Sequence, residues 1–203
     1  MQTKPRAPRN KTISLSVPEK IKYKSQLLTV EAKTQPSQIA DQIINQDLFS
    51  VIAYLPPSFV DLLFIDPPYN LKKTFNSNTF QEMSGEEYAG WVDSWLSKLV
   101  PVLKPTASIY ICGDWRSSGA IQQVAEKFFI VRNRITWERE KGRGAKTNWK
   151  NNSEDIWFCT VSDDYYFNVE AVKLIRKVIA PYTHESGEPK DWKRTDTGNY
   201  RLT

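Results

Sequence analysis

Histidine and cysteine are nearly missing from this 203-residue sequence, which holds one His (His184) and two Cys. Cys112 and Cys159 lack the spacing of a metal site and are too few for a disulfide framework, so neither a zinc centre nor a stapled secreted fold is expected. Both fall in apolar runs and read as buried thiols of a reducing compartment. Apolar runs of transmembrane length are also lacking, and no signal-peptide pattern opens the chain, so no membrane partner is expected. Internal repeats and long low-complexity segments are missing too. Glycine offers no complete dinucleotide fingerprint, because Gly142-Arg143-Gly144 has neither a strand before it nor a third glycine and helix behind it.

What is present suits one domain with a sizeable core. The net charge of +5 is placed unevenly. Residues 1–24 hold seven Lys/Arg against one Glu, a net +6, which leaves the other 179 residues at −1. This opening, with Lys4, Pro5, Arg6, Pro8, Arg9 and Lys11, reads as a basic disordered arm, either a solvated tail or a contact for nucleic-acid phosphates.

The chain is organised around Val60-Asp61-Leu62-Leu63-Phe64-Ile65 and the residues after it. The six are apolar and β-branched enough to predict a buried parallel strand. Asp66-Pro67-Pro68-Tyr69 stops it, since proline cannot continue a ladder, fixes φ near −65° and keeps the residue before it out of the helical region. A carboxylate, a carbonyl and an aromatic ring are thereby held at the carboxyl end of a strand, where open α/β sheets bind ligands. A carboxylate beside a carbonyl is a pair of pure acceptors, suited to a group with two N–H donors such as an exocyclic amine. Tyr69 can stack on the flat ring that bears the amine. A plain turn after a strand would also use two prolines.

Upstream, Ser37 to Ile44 predicts a short helix, and Leu48 to Leu55 a helical turn or two capped by Asp47. Downstream, residues 70–82, with Lys72 and Lys73, read as a mobile loop beside the site. Ser84-Gly85-Glu86-Glu87 opens a helix whose Tyr88, Trp91, Val92, Trp95, Leu96, Leu99 and Leu103 recur at core spacing, broken near Pro101. Lys104-Pro105 predicts a turn, Ser108 to Gly113 a second buried strand ending in Asp114-Trp115-Arg116, and Ser117 to Phe128 a helix. Asn133 to Trp137 and Asp155 to Val161 predict two more strands. Between them Arg139, Lys141, Arg143, Lys146 and Lys150 face Glu140 alone, a basic loop that reads as a DNA-facing edge or a solvated hairpin tip.

Asp66-Pro67-Pro68-Tyr69-Asn70 resembles the catalytic motif of the amino-group DNA methyltransferases, which methylate adenine N6 or cytosine N4 with S-adenosylmethionine. The resemblance covers about residues 45–170: an aromatic-rich helix, a strand ending Gly113-Asp114, Trp137-Glu138, a basic Lys-Gly-Arg-Gly loop, Asn152-Ser153-Glu154 before a strand, and Tyr166-Phe167-Asn168 follow in the family's order. It is similar to the permuted subgroup whose catalytic half comes first. It implies an α/β fold, a Rossmann-like methyltransferase sheet with helices on both faces and an antiparallel edge hairpin. It further implies catalysis by Asp66, Pro67, Pro68 and Tyr69, cofactor contacts from Asp47, Asp66 and Asn70, and double-stranded DNA as partner. The implied setting is cytoplasmic, of bacterial, archaeal or phage type.

The Gly-rich cofactor loop of that subgroup is not found before Thr203. The expectation is therefore an amino-terminal half with its cofactor-side strands missing, joined by a second chain if the enzyme is split. The expected domains are an arm over 1–24, a catalytic part over 25–170 and the start of a target-recognition segment over 171–203. Asp66 at the first motif position leans towards adenine over cytosine, and the lack of a Pro-Cys nucleophile argues against cytosine-C5 chemistry. A catalytically silent nucleic-acid-binding subunit, and an RNA or protein-glutamine methyltransferase, stay open at this point.

Overall fold

In the computed structural model the described residues are 13–75, 78–139, 147, 149, 151–179 and 181–202. The chain divides into two compact units, Met1–Tyr165 and Tyr166–Thr203.

The first unit opens with α1 (Val17–Lys24), inside the stretch expected to be a disordered arm. Local signals form it: Ser16 and Glu19 make a capping box, Pro18 sits in the first turn, and Lys22 and Lys24 lie in the last, where the helix dipole favours cations. None of its residues is buried. The basic residues Lys4, Arg6, Arg9 and Lys11 lie outside the described residues. Next come α2 (Pro36–Ile39) and α3 (Leu48–Val51), which runs on into a 3₁₀ turn over Ile52–Tyr54. The helix predicted from Ser37 to Ile44 is cut short because Asp41 takes a left-handed φ of 58°. Val30, Ile39 and Val51 form a small satellite core.

The main sheet has four strands in the order β1-β4-β6-β5. They are β1 (Val60–Ile65), β4 (Leu103–Gly113), β5 (Ile130–Glu138) and β6 (Ser153–Thr160). β1 runs parallel to β4, while β6 is antiparallel to both β4 and β5, so the expected parallel pairing and edge hairpin are both present. β4 begins five residues before the predicted strand and absorbs the supposed turn at Lys104-Pro105. Its register against β1 jumps between Val60↔Leu103 and Leu62↔Ser108, and that irregularity is where a proline can sit in a strand without breaking a ladder.

The residues after the DPPY motif, expected as a loop, form a two-stranded ribbon of β2 (Lys73–Phe75) and β3 (Asn78–Phe80). Thr74 pairs with Thr79 across it through their hydroxyls at 3.0 Å, and threonine and phenylalanine suit a pleated surface.

Helices α4 (Gly85–Leu99) and α5 (Ser118–Ala125) supply the core. Tyr88, Val92, Trp95, Leu96 and Leu99 of α4 and Ile121, Val124 and Ala125 of α5 pack with Ile109, Ile111, Trp157 and Cys159 of the sheet. Each such aliphatic side chain contributes about 1.5–3 kcal/mol by leaving water. The kink near Pro101 appears as a 3₁₀ turn over Val100–Val102. Leu63 and Ile65 of β1 face this core, whereas Leu62 and Phe64 on the opposite face are 59% and 61% exposed. The prediction of a fully buried strand fails there because β1 is the edge of the sheet and only one of its faces is covered by these helices. Cys112 and Cys159 are buried free thiols, pushed up to about 11 and about 12, chiefly by burial.

The second unit is a three-stranded antiparallel sheet in the order β7-β9-β8, from β7 (Ile175–Lys177), β8 (Lys193–Thr195) and β9 (Gly198–Leu202). Trp192 is buried in it, with Nε1 donating to the Tyr182 carbonyl at 2.6 Å. No helix among the described residues is long and apolar enough to cross a membrane.

Candidate functional site

Strand direction gathers the site. β1 ends at Ile65 opposite Ile111 of β4, β4 runs on to Gly113, and β6, running the other way, begins at that end, with Gly113 opposite Asp155. Residues far apart in sequence therefore meet at one end of the sheet. Gly113 lets α5 approach, since a Cβ there would come within 2.7 Å of Ile121 Cδ1.

Asp66 stands exposed just past β1, Pro67 is buried, and Tyr69 is half-buried. Hydrogen bonds from three directions hold this segment. The Tyr88 hydroxyl, arriving from α4, donates to the Pro68 carbonyl at 2.9 Å. The Asn70 backbone N–H donates to Ser117 Oγ at 2.9 Å, and that hydroxyl donates to Asp114 Oδ1 at 2.6 Å. Asp114 Oδ1 also accepts from the Ser117 N–H, so a buried carboxylate at the end of β4 ties the start of α5 to the chain leaving β1. The Asn70 side chain, 8% exposed, completes the clamp by donating from Nδ2 to the Met83 carbonyl at 2.8 Å and accepting the Met83 N–H at 2.7 Å.

Asn70 is thus a clamp between the motif and the approach to α4. Asn70→Ala should destabilise the chain by about 1–3 kcal/mol, because it strands a backbone donor and acceptor of Met83. The midpoint of urea unfolding measures this, and an unchanged midpoint would deny the clamp its importance.

The Tyr69 hydroxyl lies among carboxylates. It donates to Glu154 Oε2 at 3.4 Å, and Asp66 is also within its reach. Burial, then the negative charge and hydrogen bonding of Asp66, then the charge of Glu154, push its phenol above the ordinary tyrosine range. Glu154 in turn pairs with Arg139 through its other oxygen. Beside them, Ser118 Oγ donates to Asp155 Oδ2 at 2.6 Å and accepts from Trp157 Nε1 at 3.0 Å.

The residues named from sequence are placed as follows. Asp66, Pro67, Pro68, Tyr69 and Asn70 sit together at the carboxyl end of β1. Asp47 caps α3, with Oδ1 accepting from the N–H groups of Phe49 and Ser50 at 2.9 and 3.2 Å. Lys72 is exposed ahead of the ribbon, Lys73 begins it, and Arg139 lies at the end of β5 against Glu154. Lys141, Arg143, Lys146 and Lys150 lie outside the described residues. The helical periodicity identified Tyr88 only as core, which it is, but a tyrosine in an apolar stripe must find an acceptor for its hydroxyl, and here that acceptor belongs to the motif. Glu154 is legible from sequence only within the Asn152-Ser153-Glu154 stretch that matches the family's order, with nothing there to link it to Tyr69.

A family profile described as DNA methylase (N6_N4_Mtase) matches residues 60–195. The Type II methyltransferase M.BglII of Bacillus subtilis is 29% identical over 169 residues, covering 76% of this chain and 44% of that protein. The DNA adenine methyltransferase YhdJ of Escherichia coli (strain K12) is 29% identical over 141 residues, covering 68% of this chain and 47% of that protein. Among solved structures, the PvuII DNA methyltransferase (cytosine-N4-specific) aligns with a TM-score of 0.53 at 13% identity, covering 64% of this chain and 52% of that one, a likeness of fold. The chain spans about half the length of the curated relatives it matches.

Proposed function

The chain belongs to the family of DNA methylases, and on that footing we propose that it carries the target-base centre of a methyltransferase moving a methyl group from S-adenosylmethionine to an exocyclic amine of double-stranded DNA. One observation carries the reading. The Pro68 carbonyl is taken by Tyr88, whereas the Pro67 carbonyl meets no donor among the described residues, and the Asp66 carboxylate stands exposed beside it. The two acceptors match the two N–H groups of an amine. Accepting both withdraws the nitrogen lone pair from conjugation with the ring and turns it into a nucleophile. The base is extruded from the duplex to reach them and lies against the ring of Tyr69. No covalent enzyme intermediate is needed, so positioning supplies much of the rate.

Bound S-adenosylmethionine supplies an electrophilic methyl. Its ammonium and sulfonium charges suit carboxylates, and Asp66 and the second oxygen of Asp47 fit that demand; Asn70 serves it through position, its amide being held by Met83. Among the described residues no strand pairs with the outer edge of β1, which supports the permuted order, in which strands bearing the remaining cofactor contacts pair there, from this polypeptide or a second chain. Lys72, Lys73, Arg139, Lys141, Arg143, Lys146 and Lys150 are proposed phosphate contacts and the second unit a target-recognition element, acting on cytoplasmic DNA.

Aspartate at the first motif position favours adenine N6. Cytosine N4 is the second reading, since the relatives' names include both bases. The test is incubation with methyl-tritiated S-adenosylmethionine and unmethylated duplex DNA, alone and with a cofactor-half fragment, followed by digestion to nucleosides. Label in N6-methyladenine is expected. Label in N4-methylcytosine changes the base, and label only in RNA or protein, or none in any form, overturns the reading.

A further inference from the structure

Glu154 stands where an ordinary strand-start residue would not need a charge. It is 15% exposed, opens the segment of β6 that faces the ends of β1 and β4, and lies 85 residues from the motif it touches. Its two oxygens are divided: Oε2 accepts the Tyr69 hydroxyl and Oε1 takes the Arg139 guanidinium. A carboxylate this enclosed needs a partner, and Arg139 provides it. The Tyr69 hydroxyl has one hydrogen, which it donates to Glu154, and it also feels the negative charge of Asp66. When Asp66 turns its lone pairs to a target amine, Glu154 keeps a charged acceptor on the hydroxyl.

We propose that Glu154 is a positioning residue of the methyl-transfer centre: it holds the Tyr69 hydroxyl, and so the plane of the Tyr69 ring, while Asp66 engages the target amine, with Arg139 fixing its second oxygen. The inference rests on the methyltransferase reading for its consequence in catalysis, but the bond itself does not. Glu154 touches no reacting atom, and no proton leaves it.

Two measurements test this, the first without any need of activity. With tyrosine labelled at Cζ with ¹³C, the Tyr69 resonance is assigned by its loss in Tyr69→Phe. It should move in Glu154→Ala and move less in Glu154→Gln, whose carboxamide oxygen still accepts. A resonance unmoved by Glu154→Ala overturns the proposal.

The second is a double-mutant cycle on transfer by the active form of the protein. Glu154→Ala should lower kcat about tenfold to a hundredfold with KM for DNA within about threefold, and Glu154→Gln should restore most of it. Tyr69→Phe combined with Glu154→Ala should fall no lower than Tyr69→Phe alone, because both remove one interaction. Losses that multiply would show that Glu154 acts elsewhere and would overturn the proposal. A wild-type protein that transfers no methyl in any form would count against the methyltransferase reading, while the Cζ measurement would still decide the bond.

Discussion

Asp66→Ala abolishes methyl transfer and leaves DNA binding nearly intact: that is the expected result with the largest effect on activity. Asp66 presents its carboxylate just past the end of β1 and is exposed, whereas the side chains of Asn70 and Asp114 are buried in bonds that hold the backbone. Removing it therefore costs the fold little. It does remove the charged half of the acceptor pair. A hydrogen bond to a charged group contributes about 1.5–3 kcal/mol, and its loss together with the alignment it gives the amine amounts to about 10²–10⁴ in rate. DNA affinity is set mainly by cations on phosphates, so Kd should stay within a few-fold. The fall should appear in kcat, since the lost contacts strengthen as the nitrogen becomes nucleophilic. Tritium transfer and filter binding on the same preparations check both halves. A variant that transfers at near wild-type rate would remove Asp66 from the chemistry.

The largest effect on stability is expected at Tyr88. This side chain is fully buried, touches Phe80 and Trp91 in edge-on and tilted ring contacts at 6.3 and 5.4 Å, and carries the hydroxyl that holds the Pro68 carbonyl. Tyr88→Ala should cost about 3–5 kcal/mol, the range for deleting a buried aromatic, which is a large part of the stability of a small domain. Tyr88→Phe separates packing from the bond: it keeps the ring and should cost about 1–2 kcal/mol. In that variant the carbonyl of Pro68 competes with that of Pro67 for the amine, so transfer should slow by more than the stability loss explains. Urea unfolding with an unchanged m-value and kcat at a temperature where both proteins are folded supply the two numbers. Equal stability of wild type and Tyr88→Ala would mean that the core is not centred on α4.

Much of this centre is legible in the amino-acid sequence. A β-branched apolar run stopped by two prolines located β1 and its end, because proline's lost donor and fixed φ act locally. The capping box at Ser84 and Glu87 located α4 for the same reason. Other features depended on pairing, which no local signal carries. Leu62 and Phe64 have the same composition as buried residues, and only the strand order shows that their face is bare. The ribbon β2–β3 looked polar because three-residue strands offer too few alternations to stand out. Glu154 was visible as a residue but not as a partner of Tyr69, since the meeting requires β6 to run against β4. Lys104-Pro105 looked like a turn because a register irregularity cannot be inferred from one strand alone.

That reversal of β6 also bears on how the molecule acquires its centre in time. β1 meets β4 across a stretch that folds into the β2–β3 ribbon and α4, whereas Tyr69 meets Glu154 only after 85 residues of chain have been closed. Contacts so distant in sequence slow folding, because the entropy of closing the loop is lost before the contact rewards it. A nascent or partly folded chain can therefore hold the DPPY turn in its final backbone shape well before the hydroxyl of Tyr69 has anything to bind. The turn is a local structure and the centre is a late one.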